Sequence, residues 1–323
     1  MRLAVVTPVF NDWTSLSRLT DELESISLPQ NVSLSLFAVD DGSNERGVLA
    51  SRQFRRIESI EIITLASNLG HQRAIAVGLV EVYRRDEFDA VVVMDSDGED
   101  SPSDIPRLLN ELTIHPGHVI CAKRGRRPGL LAFRLWYECY KYLFQLLTGA
   151  RIDFGNFCII PKEMLGALVR NSSTWNNLAG ALTRSRLPLF RLPSDRGRRY
   201  AGKSKMNFVA LIIHGLGAMA VFSDVVMVRL LLASATVTTL TALGIVLVFL
   251  IKIFTDLAIP GWATNAAGIL VIIMVQASMI FTIAAFNVMS LRSVNSVIPL
   301  SDAGGLVLSR RKVLSVETME RAG

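Results

Sequence analysis

The chain has 323 residues, of which 50% are hydrophobic and 19% are charged. A soluble protein has about 25% charged residues, so part of this chain is predicted to lie outside water. The composition excludes a disordered chain, a collagen-like repeat and a small disulfide scaffold. The 3 cysteines form no Cys-x-x-Cys pair, which indicates neither a zinc site nor a redox motif.

Strand and helix patterns alternate over the first part of the chain. Runs rich in β-branched residues predict strands at Leu3–Thr7, Leu34–Val39, Ile60–Leu65, Ala90–Met94 and Val119–Ala122. Periodic patterns predict helices at Ser15–Ile26, Gln72–Arg84 and Ile105–Leu112. This α/β alternation predicts a mostly parallel, Rossmann-like sheet with helices on both faces. Pro8 ends the first apolar run too early for a signal peptide, so this part is predicted to stay in the cytoplasm.

Three polar clusters follow predicted strands, at residues 7–12, 40–43 and 95–100. Each alone is also typical of turns and helix caps, but together they predict one crevice at the carboxyl ends of the strands. The pair Asp95 and Asp97 favours Mg²⁺ or Mn²⁺ held with substrate phosphates. Neither a Gly-x-x-x-x-Gly-Lys loop nor Gly-x-Gly-x-x-Gly follows the first strand, which argues against a P-loop NTPase or a dinucleotide enzyme.

The second part of the chain is typical of a membrane protein. Leu230–Ile251 and Ala266–Leu291 are uncharged, and each is long enough to span a hydrocarbon layer of about 30 Å. Pro260 and Gly261 lie between them, which predicts a helical hairpin. Basic residues flank its outer ends, so the positive-inside rule predicts that both termini are cytoplasmic.

The uncharged run Met206–Ser223 is predicted to form a helix in the membrane interface, with a third span as the alternative. An odd number of spans would place the basic C-terminal tail on the wrong side. The predicted organisation is a cytoplasmic catalytic domain (1–205), an interfacial amphipathic helix (206–224), a transmembrane hairpin (225–292, with spans at about 229–251 and 266–291) and a cytoplasmic tail (293–323).

Four motifs together resemble those of a family 2 glycosyltransferase with the GT-A fold. Residues 8–12 resemble Pro-x-Tyr-Asn-Glu, residues 39–43 match Val-Asp-Asp-Gly-Ser, and residues 95–97 match the metal-binding Asp-x-Asp. Residues 199–205 fit the Arg-x-x-Gly-x-Ser-Lys stretch that precedes the membrane part. With the C-terminal helix pair, this last motif narrows the resemblance to the polyprenyl-phosphate (dolichyl- or undecaprenyl-phosphate) glycosyltransferases.

The resemblance implies roles for individual residues. It assigns nucleotide binding to Thr7, Pro8, Phe10, Asp12, Asp40, Asp41, Ser43 and Asp95, with Asp41 at the base. It assigns the metal to Asp95 and Asp97, and Glu99, which replaces a Gln often found at this place in the family, adds a further charged ligand. It assigns the acceptor phosphate to Arg124, Arg199, Ser204 and Lys205. The catalytic set is Asp97, Arg124, Arg134, Asn156, Arg199 and Lys205.

Two features bear on the chemistry. Asn156 stands where many relatives have Asp, which weakens the case for a protein base. A phosphate monoester has a second pKa of about 6, so the acceptor is already a nucleophile. The eight basic residues between Arg184 and Lys205 would neutralise anionic substrates, or alternatively contact anionic lipid.

The resemblance implies an inverting enzyme that moves one sugar from a UDP- or GDP-sugar to a polyprenyl phosphate at the cytoplasmic membrane face. Its cofactor would be Mg²⁺ or Mn²⁺, and its partners would be the nucleotide sugar, the lipid acceptor and the bilayer. No nucleic acid is predicted, and a homo-oligomer is left open. The alternatives are a processive polysaccharide synthase and an inactive membrane-anchoring homologue.

Overall fold

The structure is a computed structural model that describes residues 1–45, 49, 54–124, 131–195, 197–200, 215–255, 259–293 and 296–315. At positions 124, 131–137, 291–293, 314 and 315 the description covers the backbone alone. The chain divides into two compact units. The first comprises Met1–Tyr137, Ala150–Val221 and Ser296–Gly323, and the second comprises Glu138–Gly149 and Phe222–Asn295.

The first unit is built around an eight-stranded sheet. Its strands are β1 (Arg2–Val9), β2 (Ser33–Asp40), β3 (Ile57–Leu65), β4 (Ala90–Val93), β5 (Val119–Arg124), β6 (Cys158–Pro161), β7 (Leu189–Ser194) and β8 (Val307–Ser315). They lie in the order β7-β5-β6-β4-β1-β2-β3-β8. The pairs β1–β2, β1–β4, β2–β3 and β5–β7 are parallel, and the pairs involving β6 or β8 are antiparallel. The predicted mostly parallel sheet is confirmed.

Helices cover both faces of this sheet. The helices of the chain are α1 (Trp13–Ser25), α2 (His71–Arg85), α3 (Ile105–Ile114), α4 (Leu131–Thr148), α5 (Lys162–Val169), α6 (Ser173–Asn176), α7 (Leu178–Arg184), α8 (215–220), α9 (Ser223–Phe254), α10 (Trp262–Ser293) and α11 (Pro299–Asp302). One core cluster packs α2, α5 and α7 against the sheet. The other packs α1 and α3 against the opposite face. Each core therefore consists of every second residue of the strands and the apolar stripe of each helix that covers that face.

The end of the chain differs from the prediction. All five predicted strands and three predicted helices are present with slightly different ends, but β6, β7 and β8 were not predicted. Within the predicted tail (293–323), residues 307–315 form β8 beside β3, an element that the sequence did not predict. Arg310 explains part of this docking, since its guanidinium donates two bonds (2.7 and 2.8 Å) to the Glu81 carboxylate.

The second unit contains the hairpin of α9 and α10. Both helices are long and apolar enough to cross a membrane. Small and β-branched side chains are buried where they meet, and they recur every seven residues: Ser234, Thr241 and Val248 on α9, and Ala277 and Ala284 on α10. Most other side chains are exposed and apolar. The predicted hairpin is confirmed by this pairing of apolar helices.

Residues 206–214 of the predicted interfacial helix (206–224) lie outside the described residues. Residues 215–220 are helical (α8), and α9 begins at Ser223. With 32 residues, α9 is longer than the predicted span. At about 1.5 Å per residue, such a helix is much longer than a hydrocarbon layer of about 30 Å is thick.

Candidate active site

The site lies where β1 and β4 are neighbours in the sheet. From β1 the chain passes to β2 on one side, whereas β4 pairs with β1 on the other side. Open sheets bind ligands beyond the carboxyl ends of two strands at which the order reverses in this way. The two ends are joined, because the Met94 N–H donates to the Val6 carbonyl (3.2 Å) and the Ser96 hydroxyl donates to the Pro8 carbonyl (3.1 Å).

The loops that follow β1 and β2 are also tied together. The Asp41 N–H donates to the Val9 carbonyl (2.8 Å), and the Asn11 N–H donates to the Ser43 hydroxyl (2.9 Å). In return, the Asn44 N–H donates to Asn11 Oδ1 (2.9 Å). The three polar clusters that were predicted to share one crevice are therefore brought together.

The two carboxylates at the end of β2 accept hydrogen bonds from backbone N–H groups and do not face solvent. Asp40 accepts the Ser43 N–H (2.9 Å). Asp41 is 3% exposed and accepts the N–H groups of Leu69 (2.7 Å) and Gly70 (2.9 Å). Burial raises the pKa of the Asp41 carboxyl, and the two backbone bonds oppose that rise. Asp41 thus fixes the turn before α2, and its contact with a nucleotide base stays a prediction.

The remaining predicted nucleotide-binding residues near β1 have different environments. Asp12 caps α1 by accepting the Ser15 N–H (3.3 Å). Phe10 is exposed and can stack on a planar ligand. Thr7 is fully buried, and its hydroxyl has no partner among the described residues.

The Asp-x-Asp loop after β4 is held by its own backbone. The Asp95 N–H donates to the buried carboxylate of Asp100 (3.0 Å), and the Glu99 N–H donates to Asp97 Oδ1 (2.9 Å). Gly98 has a φ of +88°, which an L side chain rarely adopts. Asp95, Asp97 and Glu99 are half-buried at the mouth of the crevice.

The segment that ends at Tyr200 packs directly on this loop. The Gly197 N–H donates to the Glu99 carbonyl (3.0 Å), and the Tyr200 N–H donates to the Asp97 carbonyl (2.8 Å). A Cβ atom at Gly98 would lie 2.9 Å from the Tyr200 ring, so glycine is needed for this close approach. Residues about a hundred positions apart are therefore held as one structure.

This packing places Arg199 against the acidic loop. Its Nη2 atom lies 2.6 Å from Asp97 Oδ2 and 3.7 Å from Glu99 Oε1. Burial raises the pKa of the Asp97 carboxyl. The Asp95 and Glu99 charges act in the same direction, while the Glu99 N–H and the Arg199 guanidinium oppose it. The carboxylate form of Asp97 is thus only partly compensated and favours an additional cation.

The carboxylate oxygens fit the chemistry of Mg²⁺ or Mn²⁺, which prefer hard oxygen ligands. Within the described ranges, however, no three Asp, Glu, His or Cys side chains are arranged to hold an ion by themselves. A divalent ion that uses one or two carboxylates and the oxygens of a diphosphate would suit this geometry.

Asn156, just before β6, is buried and accepts a hydrogen bond from Gln72 Nε2 (3.0 Å). The Oε1 atom of Gln72 accepts the Leu178 N–H (2.8 Å), so one amide links α2, α7 and Asn156. A carboxamide has no basic oxygen at neutral pH and cannot act as a general base. Gln72 thus fixes both the Asn156 side chain and the backbone at Leu178.

The side chains of four predicted site residues lie outside the part of the chain that the structure describes. Arg124 ends β5 and Arg134 lies on α4, and only their backbones are described. Ser204 and Lys205 lie outside the described residues. Their roles at the acceptor phosphate stay predictions.

Two residues of α1 contribute to the site and were not predicted. The Tyr200 hydroxyl donates to Glu22 Oε2 (2.7 Å), and the Arg18 guanidinium donates to the Tyr200 carbonyl. Burial raises the pKa of the Tyr200 phenol, and the Glu22 carboxylate adds to that rise. Arg18 and Glu22 lie on the exposed side of α1, where charged residues are usual, so the sequence does not predict their contacts with Tyr200. The sequence likewise does not predict the buried amide of Gln72.

Comparison with known proteins defines the class. The model of glycosyl transferase family 2 matches residues 4–168, and the chain belongs to this family. The mostly parallel sheet covered on both faces is the GT-A fold that the sequence predicts.

Several relatives are named for polyprenyl phosphates. Dodecaprenyl-phosphate galacturonate synthase of Rhizobium johnstonii is 25% identical over 58% of this chain and 57% of its own. Undecaprenyl-phosphate 4-deoxy-4-formamido-L-arabinose transferase of Pseudomonas aeruginosa is 30% identical over 42% of this chain and 38% of its own. An uncharacterized glycosyltransferase of Bacillus subtilis, YkcC, is 24% identical over 82% of this chain and 81% of its own.

Solved structures show more distant likeness. Glucosyl-3-phosphoglycerate synthase from Mycobacterium tuberculosis, in complex with Mn²⁺, UDP-Glc and phosphoglyceric acid, has a TM-score of 0.47 and 16% identity, over 70% of this chain and 79% of that chain. TarS 1-349 of S. aureus in complex with UDP has a TM-score of 0.45 and 16% identity, over 72% of this chain and 66% of that chain.

Proposed function

We propose that this protein is a polyprenyl-phosphate glycosyltransferase that moves one sugar from a UDP- or GDP-sugar to a membrane-bound polyprenyl phosphate, with inversion at the anomeric carbon. The observation that carries the proposal is the 2.6 Å pair between Arg199 and Asp97. It joins the first residue of the basic motif 199–205 to the last residue of the Asp-x-Asp motif. One residue implied for the acceptor thus lies beside one implied for the metal, which supports a shared site for the two substrates.

The reaction must bring two anions together. An oxygen of the acceptor phosphate attacks the anomeric carbon, the carbon–oxygen bond to the nucleoside diphosphate breaks, and its electron pair leaves with the diphosphate. The phosphate needs no deprotonation because it is largely dianionic near neutral pH, which agrees with an amide at Asn156. Catalysis then consists of alignment and charge compensation.

Arg199 supplies part of that compensation. Its guanidinium is always protonated and presents several donors, so it can exchange the Asp97 carboxylate for a phosphate oxygen without a large movement. A bound Mg²⁺ or Mn²⁺ ion would neutralise the diphosphate leaving group and would be held by Asp97 together with Asp95 or Glu99. We expect EDTA to abolish transfer and either ion to restore it. Full activity in chelator would contradict metal dependence.

The sheet also supports the proposed topology. β8 follows the hairpin in sequence, yet it pairs with β3 of the sheet that precedes the hairpin. Two segments of one sheet lie on the same side of a membrane, so the chain between them crosses an even number of times. This favours two spans over three, and the basic outer flanks favour the cytoplasm as that side.

Cysteine labelling tests the topology in intact cells. In a Cys139→Ser background, which removes the exposed native thiol, a membrane-impermeant reagent should label Pro260→Cys. It should spare Ser43→Cys until the membrane is permeabilised. Labelling of both in intact cells, or of Ser43→Cys alone, would overturn the proposed arrangement.

Transfer itself is tested with the purified full chain, undecaprenyl phosphate and a panel of radiolabelled UDP- and GDP-sugars. We expect label in the lipid extract as a single-sugar product, lost in Asp97→Asn and retained in Glu163→Gln, which removes a charge at an exposed position of α5. A labelled polymer would favour the processive synthase instead. Absence of transfer from every donor, with the variants folded, would overturn the proposed reaction.

A further inference from the structure

Helix α10 carries three amide side chains along one line. Asn265, Gln276 and Asn287 are spaced eleven residues apart. At about 100° per residue, eleven residues make three turns and a drift of about 20°, so the three side chains form a row nearly parallel to the helix axis. All three residues are exposed in the hairpin. They are called the amide row below.

Helix α9 does not cover the amide row. Ala277 and Ala284, two of the buried residues of α10, face α9 from a side about 100° further round the helix. Asn287 donates through Nδ2 to the Ile283 carbonyl (2.9 Å) of its own helix. For the side-chain amides of Asn265 and Gln276, the described part of the chain provides no hydrogen-bond partner.

The three amides differ in depth if α10 spans a bilayer, as the proposed function requires. Gln276 is the middle residue of the apolar stretch Trp262–Ser290. Asn265 and Asn287 lie about 16 Å from it along the axis, close to the edges of a hydrocarbon layer about 30 Å thick. Water and headgroups can therefore satisfy the two asparagines, whereas Gln276 lies at the midplane, where an unpaired amide is costly.

We propose that the amide row is a contact surface for α10 of a second copy of this chain, with Gln276 hydrogen-bonded to its own counterpart. Copies inserted in the same orientation are related by a twofold axis along the membrane normal, which brings equal residues together at equal depth. A carboxamide both donates and accepts, so two identical side chains can pair. Interhelical amide bonds of this kind stabilise helix association in membranes.

The apolar residues beside the row fit the same role. Those on either side of Gln276 are exposed in the hairpin and available for packing: Ile269, Ile272, Ile273, Met279, Ile280 and Ile283. Close packing of such side chains drives association between membrane helices, since lipid supplies no hydrophobic force between them. The Gln276 amide then determines which face of α10 contacts the second copy and how the two helices are aligned along their axes.

Disulfide cross-linking in membranes tests the surface while leaving Gln276 in place. In the full chain with Cys139→Ser, Ile280→Cys lies one turn from Gln276 on the same side, whereas the control Ser278→Cys lies at nearly the same depth but about 160° away. Both positions are exposed. Mild oxidation should link two copies through Ile280→Cys and not through Ser278→Cys. Equal linking at both, linking at neither, or linking only through Ser278→Cys would overturn the proposal.

The amide is tested by adding Gln276→Leu to the Ile280→Cys chain. Gln276 is exposed, and the change removes no side-chain hydrogen bond within the described hairpin, so folding should be retained. One lost interhelical hydrogen bond should raise the dimer dissociation constant by about 3- to 30-fold, measured by dilution in bilayers of increasing lipid content. An unchanged dissociation constant would overturn the role of Gln276.

Two measurements separate this proposal from the proposed function. Carbonate extraction reports whether the chain is embedded, and extraction into the soluble fraction would overturn the amide row as a membrane contact. Transfer to undecaprenyl phosphate is measured on the same membranes. Cross-linking without transfer would overturn the proposed reaction alone, and transfer without cross-linking at position 280 would overturn the amide row alone.

Discussion

Two arginine–carboxylate pairs of the sheet unit, one at the β8 edge and one at the Asp-x-Asp loop, differ in how far the negative charge of the carboxylate is balanced by its surroundings. At the outer edge, Arg310 on β8 makes two short bonds to Glu81 on α2, and Arg84 lies 3.7 Å from the same carboxylate. The hydrogen bond from Arg310 is the main reason why the pKa of Glu81 is lowered. This carboxylate is stabilised in its charged form.

The pair at the crevice has the opposite balance. Arg199 reaches Asp97 with one nitrogen, two further acidic residues lie beside it, and burial leaves the pKa of Asp97 raised. The comparison separates a structural ion pair from one that can exchange partners during a reaction. A carboxylate that its own surroundings leave undercompensated is suited to bind a substrate-borne cation.

The largest expected effect is on Asp97. Asp97→Asn should lower transfer by about 1000-fold or more, because one charged group at the reacting centre is lost. Since the folded state raises the pKa of Asp97, its ionised form costs stability near neutral pH, and the neutral amide should leave the melting temperature unchanged or higher. Rates and thermal unfolding on the same preparation check this. A large drop in melting temperature would assign Asp97 a structural role.

A smaller loss of rate is expected for Arg199. Arg199→Ala should lower transfer by about 30- to 1000-fold, equivalent to about 2–4 kcal/mol of transition-state stabilisation. Donor affinity should fall much less. Arg191→Ala is the matched control, because Arg191 pairs with Asp153 away from the acidic loop. Equal, mild effects of both changes would identify the basic segment as a lipid-contacting surface.

At the outer edge, the effect should fall on stability instead of rate. Arg310→Ala leaves Glu81 buried with a weaker partner and should lower the free energy of unfolding by about 1–2 kcal/mol, since the Arg310 side chain is 43% exposed and water screens part of the interaction. Transfer per folded molecule should be unchanged. Lys312→Ala, exposed on the same strand, is the control. Loss of rate without loss of stability would contradict the distinction between the two pairs.

The smallest expected effect is the pH dependence of that stability. Because the pKa of Glu81 is lowered in the fold, its contribution is fully present above its ordinary value of 4.5 and is lost as the pH falls through the folded-state pKa. The difference in melting temperature between the native chain and Glu81→Gln should therefore stay constant from pH 7 to about pH 4.5 and shrink as the pH falls further. A difference that grows instead would mean that Glu81 is not stabilised in its charged form.

The sequence predicted the centre of the sheet and the motifs at its carboxyl edge, because buried parallel strands are apolar and the turns after them are polar. It did not predict β8, since Arg310, Arg311 and Lys312 interrupt the apolar pattern in the middle of this strand. An edge strand tolerates such charges because one side meets water. The contact between Tyr200 and Glu22 depends on tertiary packing over 178 residues, which no local pattern encodes.

The place of β8 after the hairpin also orders biosynthesis. The ribosome completes β3 long before β8, and both hairpin helices are made between them. Until the last strand emerges, the β3 edge has unpaired backbone groups that can join another chain. The sheet unit therefore finishes folding only after α9 and α10 have been synthesised. A fragment truncated before the hairpin would keep this open edge permanently and should aggregate more readily than the full chain.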